Sequence, residues 1–355
     1  MLNRRDLLRT GAAALAAATL PIETYAAPRT NGSWVELDRN ENPWGPSPAA
    51  RKAIMDAAAR GGRYLDGAEL DAFRDQLALR EGVTRDSIVL GAGSSEILWM
   101  ASEEFLGRGD VLLLGDPTFE LMGRCAERNG AELARIAVDP EQNDDLGAFE
   151  KRLTDKVKLT YLCWPNNPCG SMHPAGDVSE LVKKAAERAP VLVDEAYLDY
   201  ADPDLKRSMV SLVRQGANVI VARTFSKIHG LAGMRMGYGV ALPETAKRLA
   251  RWRFSVPNSL ALFAAAASLG DREFLQLARK RNEEGRQIAC RAFDEAGIKY
   301  VPSSTSFVWF RDPGLDEKMK AARILIPKGR FAGGWNRVTI GTLEEMNRFA
   351  EALRS

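Results

Sequence analysis

A chain of 355 residues, 45% of them hydrophobic and 27% charged, has the make-up of an ordinary globular protein. Its 49 Lys and Arg nearly balance 47 Asp and Glu, for a formal net charge of +2, so the charge gives no reason to expect nucleic acid or a membrane surface as a partner. The length allows one large or two medium domains with ample core. The four cysteines form no Cys-x-x-Cys pair and there are only two histidines, so no metal site is expected, and Cys125, Cys163, Cys169 and Cys290 are expected to stay unpaired.

The first 26 residues stand apart. Arg4 and Arg5 precede a short, mildly apolar run at 11–20, and the small residues Thr24 and Ala26 offer a cleavage point. The run is shorter than the roughly 20 residues a membrane-spanning helix needs. Twin arginines before such a run read as a twin-arginine export signal over residues 1–26. The mature protein would then be periplasmic, with no membrane attachment after cleavage. The alternative is an amphipathic helix kept by a cytoplasmic protein. Residues 27–48 form an N-terminal segment; 34–48 is rich in Pro, Asn and Gly and either joins the second domain or crosses between the two.

Residues 49–250 read as a large α/β domain. Apolar strand segments at 87–90, 111–114, 158–163, 191–193, 218–222 and 238–241 alternate with helical stretches such as Ser94–Phe105. Asp177 with Glu180 looks like a capping box that opens a helix to about 188. This alternation predicts a mostly parallel sheet with helices on both faces. Residues 251–355 change character. An Ala/Leu-rich helix at 258–269 and a long charged helix at 271–296, stopped by Gly297, precede short strands at 307–310, 324–326 and 338–340 and a closing helix at 343–353. They make a smaller α+β domain.

In open α/β sheets ligands bind beyond the C-terminal strand ends, and the unusual residues cluster there. Gly91-Ala92-Gly93-Ser94-Ser95-Glu96 follows a strand and opens a helix, a place suited to phosphate. It lacks a P-loop lysine and the last glycine of a dinucleotide fingerprint, and an ordinary Gly-rich turn explains it equally well. Phe119 stacks on a flat ring or fills core. Asn166 and Asn167, between two prolines, make a rigid turn, plain or ligand-facing. Asp194 directly follows a strand and needs a cation, in an ion pair or on a ligand; Tyr197 lies three residues on. Thr224, Ser226, Lys227 and Arg235 add two hydroxyls and two cations after another strand. Arginine suits phosphate, and a buried lysine whose pKa falls toward roughly 7–8 suits imine chemistry. Arg223 is expected to be structural. One ligand matches the whole set: a phosphate (Ser94, Ser226, Arg235), an aromatic ring (Phe119), a basic ring nitrogen (Asp194), a phenolic oxygen (Asn167, Tyr197) and an aldehyde (Lys227). That ligand is pyridoxal 5'-phosphate.

Six stretches also resemble, in order, the motifs of one family: DRNENPWGPSP (38–48), RYLDGAELDAFRDQLA (63–78), PNNPCGS (165–171), VDEAYLDY (193–200), TFSKIHGLAGMRMGY (224–238) and NRVTIGT (336–342). They are similar to the class I/II pyridoxal-phosphate-dependent aminotransferases of fold type I, and among these to the histidinol-phosphate aminotransferases, over residues 37–353. Ser306 departs from that pattern, standing where the family carries Asn. The resemblance implies an aspartate-aminotransferase-like large domain with a mostly parallel seven-stranded sheet, plus the smaller α+β domain. It implies exchange of an amino group between an amino acid, or an amino alcohol phosphate, and a 2-oxo acid; a decarboxylase or lyase on the same fold is the alternative. It implies that Lys227 bonds to the cofactor and moves the proton, and that Asp194 holds the ring nitrogen. Asn167 and Tyr197 would hold the 3' oxygen, Phe119 the ring face, and Ser94, Ser95, Thr224, Ser226 and Arg235 the phosphate. Tyr64 would reach the cofactor of the other subunit of a homodimer with shared active sites. Arg337 would clamp the substrate carboxylate, and Asn42 would line that site.

Overall fold

Strands follow the apolar segments closely. The computed structural model describes residues 34–202, 207–327 and 331–355, so the expected export signal lies outside the described residues. In chain order the strands are β1 (Val35–Glu36), β2 (Ile88–Gly91), β3 (Val111–Asp116), β4 (Glu132–Ala137), β5 (Val157–Cys163), β6 (Val191–Asp194), β7 (Val219–Thr224), β8 (Gly237–Val240), β9 (Lys299–Val301), β10 (Phe307–Arg311), β11 (Ile324–Leu325) and β12 (Trp335–Thr339). One seven-stranded sheet has the order β2-β8-β7-β6-β5-β3-β4. β8 runs antiparallel to both neighbours and the other pairs are parallel. The central strands β6 and β7 are buried along their whole length, as parallel strands covered on both faces should be. β4 is the strand of this sheet that the sequence reading lacks, as it lacks β1 and β9 elsewhere. It lies at the sheet edge, and its charged, half-exposed residues Glu132 and Arg135 hide the apolar signal.

A three-stranded antiparallel sheet, β12-β10-β9, and the parallel pair β1-β11 build the smaller domain. Phe293 of the helix Arg272–Ala296 and Phe349 of the helix Leu343–Arg354 pack with Val308, Phe310 and Val338 in its core. The long helix starts and stops as its residues dictate. The Asp271 side chain accepts from the Phe274 N–H, and Gly297 ends the helix at φ 66°.

Two expectations need correction. The helix expected from Asp177 begins at Ala175, with Asp177 inside its first turn, where a carboxylate faces the positive helix end instead of capping it. A boundary after residue 250 assigns the helix Ser259–Gly270 to the small domain, yet Ala261, Leu262, Ala264 and Ala265 belong to the core that also holds Leu90, Val193 and Val221. Too apolar to leave a face in water, this helix packs on Pro48–Ala57 of the large domain. The N-terminal segment joins the small domain, where β1 pairs with β11 and Leu37 O accepts from Thr339 N at 2.9 Å.

Past Leu37 the chain crosses to the large domain. At the crossing, Gly45 lies against Gly230, so that a Cβ built on either would sit 2.3 Å from the Cα of the other. Gly230 also has φ +68°, which L side chains rarely adopt. Asn42 Nδ2 donates to Ile228 O at 2.6 Å beside this crossing.

Behind the C-terminal edge of the large sheet lies a buried ion cluster. Arg223, 2% exposed, sits 3.0 Å from Glu195 and 3.6 Å from Glu81. Ser208 Oγ and the Met209 N–H donate to Glu195, and Tyr238 OH donates to Glu81. Burial pushes Glu195 up to about 7 against the pull of Arg223. Its folded pKa therefore lies above its unfolded one, so its contribution to stability declines as pH rises toward about 7. Arg223→Met strands these carboxylates and is expected to cost about 3–5 kcal/mol, with the greater loss at about pH 8 and the smaller at about pH 6. Denaturant unfolding at the two pH values checks this, and a variant as stable as wild type at the higher pH refutes it.

Candidate active site

The C-terminal ends of β2, β3, β5, β6 and β7 open into one cavity of about 1180 Å³, closed on its far side by β10 and β12 of the smaller domain. At one end is an anion cradle. The helix Ser94–Phe105 points its first N–H groups into it, and Ser94, Ser95, Thr224, Ser226 and Arg235 line it. The Arg235 guanidinium donates to Ser226 Oγ at 3.2 Å and to the carbonyls of Ala232 and Ala92 at 3.0 and 3.1 Å. Two glycines make room for it. A Cβ on Gly93 would lie 2.5 Å from the Arg235 guanidinium, and one on Gly237 would lie 2.5 Å from Ser94 N. Glu96, in the same turn, aims its carboxylate at the N–H groups of Ala92 and Phe254.

Lys227 stands half-buried in the middle. Its Nζ donates to Asn40 O at 3.2 Å and lies 5.5 Å from the centre of the Tyr197 ring. Burial lowers its pKa to about 8, helped by Arg337 and Arg235 and opposed by Asp194. Asp194, at the end of β6, accepts from the Ala196 N–H at 3.1 Å and from Tyr161 OH at 3.3 Å. Burial raises it to about 6, and those two donors and Lys227 pull it back. Burial also raises the Tyr197 hydroxyl, which therefore keeps its proton at neutral pH.

At the other end Arg337 projects from β12. It donates to Asn167 Oδ1 at 2.5 Å and to Asp38 O at 3.2 Å, and its guanidinium carbon lies 5.2 Å from the centre of the Phe307 ring. Phe119 lines the wall beyond β3. The fold thus gathers Ser94, Ser95, Phe119, Asn167, Asp194, Tyr197, Thr224, Ser226, Lys227, Arg235 and Arg337 around one cavity.

Two of the expected residues stand elsewhere. Asn42 does not line the cavity, because its amide is used up by Ile228 O and the Trp44 N–H; Asn40, two residues earlier, faces the site instead. Tyr64 is 92% exposed and lies outside the cavity of its own chain. The sequence reading missed Tyr161, behind Asp194, and the aromatic wall of Trp309, Phe331 and Trp335. Trp309 stacks on Trp335 at 5.6 Å and meets the Phe331 ring edge-on at 4.5 Å. The alternation of β12 could have revealed Trp335, since residues 335, 337 and 339 share a face. All four cysteines are free, and no cluster of metal-binding side chains exists among the described residues.

The residues present fit pyridoxal phosphate. An anion cradle, a buried amine with a lowered pKa, and a buried carboxylate that lacks a full cationic partner line the same cavity. The family Aminotransferase class I and II matches residues 33–353. A histidinol-phosphate aminotransferase of Moorella thermoacetica is 37% identical over 90% of this chain and 84% of its own length. One from Symbiobacterium thermophilum is 36% identical over 90% of each chain. The solved histidinol-phosphate aminotransferase from Sinorhizobium meliloti, in complex with pyridoxal 5'-phosphate, superposes with a TM-score of 0.84 at 26% identity, over 95% of this chain and 96% of that one. Aspartate aminotransferase from Thermus thermophilus shares the fold, with a TM-score of 0.78 at 21% identity. With motifs, fold and cavity in agreement, the chain belongs to the class I and II aminotransferases, and it is a pyridoxal-phosphate-dependent transaminase that moves an amino group between an amino donor and a 2-oxo acid.

Proposed function

We propose that this cavity carries out transamination with Lys227 as nucleophile and proton carrier, and that the observation carrying the reading is the convergence of Lys227, Asp194, Arg235 and Arg337 on one buried space. Bound pyridoxal phosphate supplies an aldehyde that bonds to amines and a ring that takes up the electron pair left when the donor's Cα–H bond breaks. Arg235, Ser226, Thr224 and the first turn of the helix Ser94–Phe105 hold the phosphate, a match of anion to guanidinium, hydroxyls and helix N-terminus. Asp194 holds a proton at the ring nitrogen, the cation that this buried carboxylate needs. Asn167 and Tyr197 direct donors at the 3' oxygen, and Phe119 covers a ring face. Lys227, neutral above about pH 8, would be the amine that bonds to the aldehyde and, when free, the base that holds the proton leaving the donor's Cα. Arg337 anchors the substrate's carboxylate or, in an amino alcohol phosphate, its phosphate. The likeness to relatives named for histidinol phosphate supports a donor among amino acids and amino alcohol phosphates.

The rate at which cofactor-free enzyme takes up pyridoxal phosphate is expected to rise as pH passes about 8, because only the neutral amine attacks. Lys227→Ala is expected to form no imine band with the cofactor at any pH and to lose about 10⁴-fold in transamination rate. Absorbance stopped-flow checks both; a flat pH profile of the wild type or an imine band in the variant refutes the assignment.

We infer further that the active form is a homodimer in which Tyr64 serves the partner's site. Its exposure and its absence from the cavity of its own chain support this. Mixing inactive Tyr64→Ala and Lys227→Ala chains is then expected to restore activity, because each mixed dimer regains one intact site; a mixture that stays inactive while forming dimers overturns it.

Export rests on Arg4 and Arg5 and on a family match that begins only at residue 33. Changing both arginines to Lys is expected to retain the protein in the cytoplasm, as cell fractionation would show; unchanged location counts against export.

A further inference from the structure

The three residues 38–40 touch three of the side chains assigned above. Asp38 O accepts from Arg337, Asn40 O accepts from Lys227, and Asn40 Nδ2 donates to Tyr197 OH at 3.0 Å. Asn40 is only 2% exposed and holds φ at +54°, a conformation uncommon outside glycine and stabilised only where the surroundings enforce it. What enforces it is Thr339 on β12. The Asn40 N–H donates to Thr339 Oγ1 at 2.9 Å, and the same hydroxyl returns its one proton to Asn40 Oδ1 at 3.1 Å.

That exchange settles the direction of every proton in the chain of bonds. A threonine hydroxyl has one proton and two acceptor sites, so Oγ1 accepts from N–H and donates to Oδ1. With Oδ1 engaged, the amide must turn its NH2 toward Tyr197. The phenol oxygen therefore accepts, and its own proton is left to be donated elsewhere. The Tyr197 ring packs edge-on against Phe307 at 5.1 Å, which fixes the ring plane, and the hydroxyl lines the cavity.

We propose that Asn40 is a positioning residue for transamination, whose side-chain amide, locked by Thr339, makes the Tyr197 hydroxyl a one-directional donor toward the cofactor's 3' oxygen. This rests on the cofactor assignment of the preceding section. A donor bond into the phenol oxygen also strengthens that hydroxyl as a donor. Losing it weakens stabilisation of negative charge at the 3' oxygen, so the lysine-bound cofactor holds its proton to higher pH.

The test is a spectrophotometric pH titration of the visible band in the cofactor-loaded enzyme, with kcat and KM for one amino donor. Asn40→Gly accepts the positive φ but lacks the amide, Asn40→Asp keeps the acceptor but not the donor, and Thr339→Val releases the amide. Each is expected to move the band's midpoint up by about 0.5–1 pH unit, the size of one net hydrogen bond, and to lower kcat about 5- to 10-fold with KM little changed. Combined with Tyr197→Phe, Asn40→Gly is expected to add no further shift, because both remove the same donor. Variants that lose thermal stability but keep the wild-type midpoint, or a shift that adds to that of Tyr197→Phe, overturn the proposal. Wild-type enzyme that takes up no colour defeats the cofactor assignment itself, and is seen before any Asn40 variant is made.

Discussion

The contact of Gly45 with Gly230 is the constraint on which the site depends. Two backbones touch there with no side chain between them, and a Cβ on either would overlap the other. One of these strands of chain has just left the small domain; the other is the turn that follows Lys227. Their contact, with the bond from Asn42 to Ile228 O beside it, sets how deep the 38–40 stretch runs into the cavity. Asn40 O then meets the lysine, and Asp38 O meets Arg337. A larger residue at either crossing point would move the roof of the cavity away from its floor.

The floor is organised by alternation at the end of β6. Asp194 and Glu195 are chemically alike and adjacent, yet successive residues of an extended chain face opposite ways. Asp194 enters the cavity and is left with two neutral donors and a distant lysine. Glu195 enters the cluster of Arg223, Ser208 and the Met209 N–H, where its charge is matched within the protein. A carboxylate fully satisfied by protein groups has nothing left for a ligand, and one that is not retains an affinity for a cation from outside. The same contrast separates the two arginines of the Lys227 region: Arg223 is enclosed by acids, whereas Arg235 is held by neutral carbonyls and a hydroxyl and keeps its charge available.

Much of this was legible in the residues because two periodicities are strong here. The buried strands β5, β6 and β7 read as unbroken apolar runs, and polar residues at their C-terminal ends mark the cavity edge. Asp194, Lys227 and Arg235 could thus be found one by one and joined by a single ligand. Edge strand β4 was lost because half its residues meet water. Asn40 was passed over for Asn42 because the two sit in one short polar motif, and the groups that orient them, Thr339 for Asn40 and Ile228 O for Asn42, lie far along the chain. The Glu81 partner of Arg223 lies far from it in the chain, and no local pattern announces a pairing of that kind.

The join between Asn40 and Thr339 spans 299 residues of chain. β1 is made before the large sheet, yet its partner β11 and the Thr339 hydroxyl are made after it. The large sheet, from β2 to β8, can form before them, because its strands are neighbours in a much shorter stretch. The roof of the cavity therefore assembles last, after the floor that carries Lys227 and Asp194 is in place. A chain that stops short of β12 would keep the nucleophile but leave it open to water on one side, without the carbonyl and the arginine that frame it. Arrival of β12 is thus the event that turns a folded sheet into an enclosed reaction chamber.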